Sequence, residues 1–137
     1  FDFAAAQKAI SANVNRIELC EDYNSGGVTP GIPLLQKILK LGSIDIFVMI
    51  RCRPGNFVYT KDEMNTMLSQ INELRSLNIQ GFVFGALTPE SNVDLDSCLS
   101  VIKAAHPFPV TFHRAFDQCI DMHKSSEEII ACGFKRI

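Results

Sequence analysis

The sequence predicts an α/β fold of parallel strands alternating with helices, and three observations predict it. Strand-like and helix-like segments alternate along the whole 137 residues, the pattern of repeated βα units. The strand-like segments are nearly continuous in apolar residues, as "IDIFVMIR" (44–51) and "QGFVFGAL" (80–87) show, and this marks strands covered on both faces. Residues able to do chemistry gather where strands end: Glu18 and Cys20, Arg51 and Arg53, His113 and Arg114. A doubly wound sheet and a TIM (β/α)8 barrel both satisfy the alternation. No strand leads into G-x-G-x-x-G, the dinucleotide signature, whereas barrel sites are built at the C-terminal ends of strands. The expectation is a partial TIM barrel. A complete one takes about 250 residues, so residues 1–137 form a single incomplete barrel domain, roughly the first half to five-eighths.

The elements follow in order. "FDFAAAQKAISAN" (1–13) has an Ala-rich helical composition, with few breakers. "NRIELC" (15–20) is a short strand and "EDYNSGGVTPG" (21–31) a loop marked by its glycines and Pro30. "PLLQKILKLG" (33–42) is helical, with Gly42 as its stop signal. After the strand at 44–51 comes the loop "CRPGNFVYT" (52–60). Thr60 and Glu63 form a capping box that opens a helix over 61–77, with Met64, Met67, Leu68, Ile71 and Leu74 on one face. The strand at 80–87 is followed by a turn at "TPESN" and a helix over 94–105. "PVTFHR" (109–114) is a strand, 123–132 a helix, and "FKRI" starts one more strand.

Composition narrows the function classes. With 47% hydrophobic and 20% charged residues and a formal net charge of −2, the chain has an ordinary globular make-up. It lacks the basic patch of a nucleic-acid binder. It also lacks the run of about 20 apolar residues that a membrane helix needs. Neither nucleic acid nor membrane is an expected partner. The five cysteines are odd in number and contain no C-x-x-C, which fits reduced thiols in a cytoplasmic protein better than a disulfide scaffold. The chain begins at Phe1 and ends as a strand begins, as a piece of a longer protein would.

Alternate residues of a strand share a face. Burying Ile17 and Leu19 under helices turns Arg16, Glu18 and Cys20 toward the barrel interior; burying Ile46, Val48 and Ile50 does the same for Met49 and Arg51. Thr111 and His113 form the matching pair on the strand at 109–114. Glu18, Cys20, Arg51 and His113 thus converge at one mouth, with Arg53 at the rim and Asp117 just beyond. Each also has a structural reading: Glu18 with Arg51 as an interior ion pair, His113 as a core histidine, Asp117 as a turn or cap residue. Cys52 falls on the other face, and Cys98 and Cys132 sit in helices as packing residues.

Four segments, "NRIELCEDYNSGGVTP" (15–30), "FVMIRCRPGNFVYT" (47–60), "GFVFGALTPE" (81–90) and "PVTFHRAFD" (109–117), resemble in order the CutC family of copper homeostasis proteins. The resemblance covers nearly the whole chain. It implies a TIM-type barrel, a cytoplasmic protein and a role in copper handling. It also implies a first strand carrying another cysteine upstream of Phe1, and further strands downstream of Ile137. Glu18 and Cys20 match the family's "RIELC", Arg51 and Arg53 its "IRPRGG" segment, and His113, Arg114 and Asp117 its "FHRAFD". The family's "RPRGGDF" reads "RCRPGNF" here, at 51–57, so that Cys52, Pro54 and Asn56 replace a proline, a glycine and an acid.

Three functions compete. The first is copper: Cu(I) is soft and selects thiolate, then imidazole, which makes Cys20 the principal ligand, paired with the cysteine of the upstream strand that the resemblance implies, and His113 a weaker candidate. The second is an enzyme acting on a small anionic ligand, a carboxylate or phosphate. Arg51, Arg53 and Arg114 would then bind the substrate, with Glu18, His113 and Asp117 as the catalytic acid–base groups. The third is an inactive fragment whose open sheet pairs with a second copy as a homo-oligomer.

Overall fold

A computed structural model of the chain describes residues 2–42 and 44–137; Phe1, expected in the first helix, lies outside them. The elements run α1 (Phe3–Ser11), β1 (Arg16–Leu19), α2 (Ile32–Leu39), β2 (Asp45–Met49), α3 (Lys61–Leu74), β3 (Gly81–Phe84), α4 (Leu95–Ala105), β4 (Val110–Phe112) and α5 (Met122–Cys132). The strands form one sheet in the order β1-β2-β3-β4, every pair parallel. Sequential neighbours in a parallel sheet, each strand followed by a helix, are what a stretch of a (β/α)8 barrel provides.

Local chemistry sets the helix starts. Asp2, Asp94 and Asp121 each accept a backbone N–H of the first turn they precede, satisfying donors that have no partner inside the helix. Thr60 and Glu63 make the expected capping box on α3. Gly133, at φ +102°, closes α5 in the left-handed conformation that suits glycine.

The two faces of the sheet differ. Leu19, Ile46, Val48, Phe82, Phe84, Val110 and Phe112 join Leu35, Ile38, Met67, Ile71, Val101 and Ile129 of the helices in one core. The other face carries Arg16, Glu18, Phe47, Met49 and Thr111. Arg16 lies over the Phe47 ring, 3.8 Å from its centroid, and its Nη2 donates to Thr111 Oγ1 at 3.0 Å. Arg16 stands on β1 and Thr111 next to the far edge on β4, so one side chain spans all four strands. The sheet is therefore curled into an arc, as strand twist and tilt require of a barrel wall.

Several boundaries differ from the sequence expectation: the strands expected at 44–51 and 80–87 are shorter, Asp45–Met49 and Gly81–Phe84. The strand at 109–114 ends at Phe112, because His113 turns its side chain to accept the Ala115 N–H and opens a 3-10 turn over Arg114–Gln118. The long helix stops at Leu74 and α2 at Leu39, two residues before the Leu41–Gly42 pair. "FKRI" is present as a parallel bridge between Thr111 and Arg136, with Phe112 N donating to Arg136 O at 2.9 Å, the start of a strand beside β4.

Gly81 sits where Phe47 crosses the concave face. A Cβ there would come within 2.3 Å of Phe47 Cε1 and 2.7 Å of the Pro109 carbonyl oxygen. Gly81→Ala therefore overpacks the floor and is expected to destabilise the fold by about 1–3 kcal/mol. A lower urea midpoint at unchanged slope is the expected readout.

Candidate functional site

The register of the sheet arranges the concave face in tiers. Glu18 pairs with Phe47 and Phe47 with Gly81; Met49 pairs with Val83 and Val83 with Thr111. One step beyond the last printed pair of β1 and β2, Leu19 with Val48, the same register sets Cys20 beside Met49. The corresponding step beyond Phe84 and Phe112 sets Gly85 beside His113. Glycine is required at 85, since a Cβ would lie 2.6 Å from His113 Nδ1. Above these tiers, at the C-terminal strand ends, opens a hollow of about 680 Å³ whose walls include Glu18, Cys20, Met49, Thr111, His113, Arg114 and Asp117. A larger polar hollow of about 870 Å³ lies at the opposite strand ends, among Asn15, Asp45, Asn78 and Gln80. That is the end at which barrels keep stability and not chemistry.

Five of the seven sequence candidates thus meet in one hollow. Cys20 is 7% exposed, and burial holds its thiol above the ordinary cysteine range, with the Glu18 carboxylate adding to the rise. Glu18 is paired with Arg16, which shares its face two residues back, so its ion-pair partner is Arg16 and not Arg51. His113 is 8% exposed. Burial pushes its pKa down to about 4, with the Arg51 charge acting the same way. Its Nδ1 accepts the Ala115 N–H at 3.2 Å, so the neutral ring carries its proton on Nε2, a buried atom without a partner among the described residues. Arg114 and Asp117 face solvent at the rim, 3.8 Å apart, too exposed for their pairing to contribute much.

Arg51 and Arg53 go elsewhere. Arg51 is 5% exposed. Its Nη1 donates to Ser25 O at 3.1 Å and Gly27 O at 2.8 Å, and its Nη2 to Gly55 O at 2.7 Å; the guanidinium lies over the Phe57 ring. The Arg51 backbone N–H donates to Thr29 Oγ1 at 2.8 Å. Arg51 therefore ties the loop after β1 to the loop after β2. Arg53 donates to both carboxylate oxygens of Glu63, to Asn56 and to the Val58 carbonyl. Its guanidinium holds the Glu63 carboxyl below the usual range. Neither arginine lines the hollow. Asn56 Oδ1 accepts from Arg53 and from the Val58 N–H, doing as a neutral acceptor what an acid would do there. Cys52 is half-buried, and its thiol is raised by burial and by Glu63.

Met49 was legible from the strand period as an inward residue, but the strand pattern assigned it no role. Among the described residues no three His, Cys, Asp or Glu side chains come close enough to hold a metal ion.

Comparison with known proteins agrees with this architecture. The CutC family model matches residues 2–137. A copper homeostasis protein cutC homolog of Caenorhabditis elegans is 39% identical over 134 residues, covering 97% of this chain and 54% of the relative. The Homo sapiens homolog of the same name is 38% identical over 133 residues, covering 97% and 49%. The chain spans about half the length of these relatives. The crystal structure of a putative copper homeostasis protein CutC from Streptococcus agalactiae superposes with a TM-score of 0.85 at 34% identity, covering 90% of this chain and 61% of that one.

Two outcomes follow from this geometry. Arg51→Lys leaves the Ser25, Gly27 and Gly55 carbonyls without their fork of donors and is expected to destabilise the chain by about 1–3 kcal/mol, read by denaturant unfolding. The folded-state pKa of His113 lies below its unfolded value of 6.5, so the unfolded state binds the extra proton in the window between. Stability is full above pH 6.5 and falls toward pH 4, by about 1 kcal/mol per pH unit. His113→Gln should flatten that slope; an unchanged slope would mean that His113 is not held neutral.

Proposed function

The chain belongs to the CutC family, and from that premise we propose that it is a cytoplasmic copper-handling protein that takes Cu(I) as cargo on the Cys20 thiolate. The observation that carries the reading is the commitment of Arg51 and Arg53 to the protein's own carbonyls and to Glu63. An anion clamp needs those forks free. With them withdrawn, the hollow offers Cys20 as its soft donor, and thiolate is the ligand Cu(I) prefers. The names of the relatives point the same way.

The role of each side chain follows from its surroundings. Cys20 must lose its proton to bind, and burial makes that loss harder, so copper uptake releases a proton and weakens as pH falls. His113, neutral and with Nδ1 occupied by a backbone N–H, shapes the wall and presents a donor. Arg16 fixes Glu18, and Arg51 fixes the loops that rim the hollow.

A second reading rests on one observation: the buried Nε2–H of His113 lacks an acceptor among the described residues, and a small carboxylate or phosphate oxygen held at Arg114 would supply one. On that reading Glu18 and Asp117 are the acid–base candidates.

A Cu(I) competition titration against a chromophoric chelator separates the two. One equivalent is expected to bind wild type and to be lost in Cys20→Ser, with His113→Ala within a few-fold of wild type. The apparent affinity should drop about tenfold per pH unit below the thiol pKa, as release of one proton requires. Binding that ignores Cys20, together with thermal stabilisation by phosphate that is lost in Arg114→Gln, would replace the copper reading with the anionic one.

A further inference from the structure

We propose that the free edge of β1 is a docking surface for a second copy of this chain, which adds its segment 134–137 there as a parallel strand. Among the described residues the one ladder of β1 is with β2. Asp45 N donates to Asn15 O and the parallel ladder alternates from there. Arg16 and Glu18 therefore turn their backbone N–H and C=O groups away from β2. Such a row of groups is a template for another strand. A groove of about 220 Å³ runs beside it, between Ala5, Ala6 and Ala9 of α1 and Ile17 and Leu19 of β1. The small alanine side chains leave room there for an incoming aliphatic one.

The opposite edge of the sheet carries what fits. Segment 134–137 is bonded to β4 through Lys135 N to Val110 O and Phe112 N to Arg136 O, each 2.9 Å. Among the described residues it has no strand on its far side, and Ile137 is 52% exposed. Charge favours the match: Asp2 and Glu18 line the groove, while Lys135 and Arg136 are exposed on the segment. Because all the strands are parallel, rotating a second copy by half a turn about an axis along them keeps every strand parallel. Each copy then gives its segment and receives its partner's, and two identical contacts close a ring. The two curled sheets complete one barrel wall, which leaves no open edge. This pairing is independent of what the hollow binds.

Light scattering on the 137-residue chain as it elutes from a sizing column tests the proposal, and a dimer is expected. Ala9→Arg fills the groove with a good helix former. Ile137→Asp sets an acid against Asp2 and Glu18. Both variants should keep the circular dichroism of wild type, and each should weaken the dimer by about tenfold or more. Mixed together, they retain one sound contact, the groove of the Ile137→Asp copy with the segment of the Ala9→Arg copy. The mixture should therefore associate more tightly than either variant does with itself. A monomeric wild type overturns the proposal, as does a dimer that neither substitution weakens or a pair of variants that gains nothing on mixing. Assemblies that keep growing with concentration overturn it too, since the ring would not have closed.

Discussion

Arg51 buries a charged guanidinium between two loops, donating to Ser25 O and Gly27 O on one side and to Gly55 O on the other. A buried charge without such partners would not be tolerated. The carbonyls, in turn, would lack donors without it. The two loops it joins form the rim above β1 and β2, and Gly26, between two of the acceptors, borders the hollow. The shape of the mouth depends on where this one cation has been placed, and its charge adds to the burial that lowers the His113 pKa.

A second cation organises the floor. Arg16 stacks on Phe47, pairs with Glu18 and reaches Thr111 across the sheet. Its position explains why Gly81 must be glycine: the aromatic ring beneath the guanidinium fills the space a Cβ would need. Between floor and rim lies a thin tier of Cys20, Met49, Val83 and Thr111. Charge has been drawn to the two boundaries, and the tier between them is soft and nearly neutral. That is a poor environment for a free anion and a suitable one for a soft cation neutralised by a thiolate.

Much of this was legible in the sequence, for a definite reason. The alternation of apolar runs with helical segments gave the parallel α/β architecture. Period two along β1 and β2 correctly turned Glu18, Cys20 and Met49 inward, because one-sided burial of Ile46 and Val48 leaves no other choice. The same rule lost force at Arg51, where β2 has already ended at Met49. Past that point the side chain follows its hydrogen bonds, and its acceptors are backbone carbonyls some 24–26 positions back, which no pattern of residue types reveals. The end of β4 was missed on similar grounds: the His113 side chain competes for the Ala115 N–H and turns the chain early. The Arg16–Glu18 pair was legible in principle, two residues apart on one face of β1, whereas Glu18 and Arg51 belong to different βα units.

Copper absorption spectroscopy on the Cu(I)-loaded chain tests the central claim most directly. The account predicts sulfur in the first shell, lost in Cys20→Ser. A shell of nitrogen and oxygen without sulfur would contradict it, because it would bring His113, Glu18 or Asp117 into the site in place of Cys20.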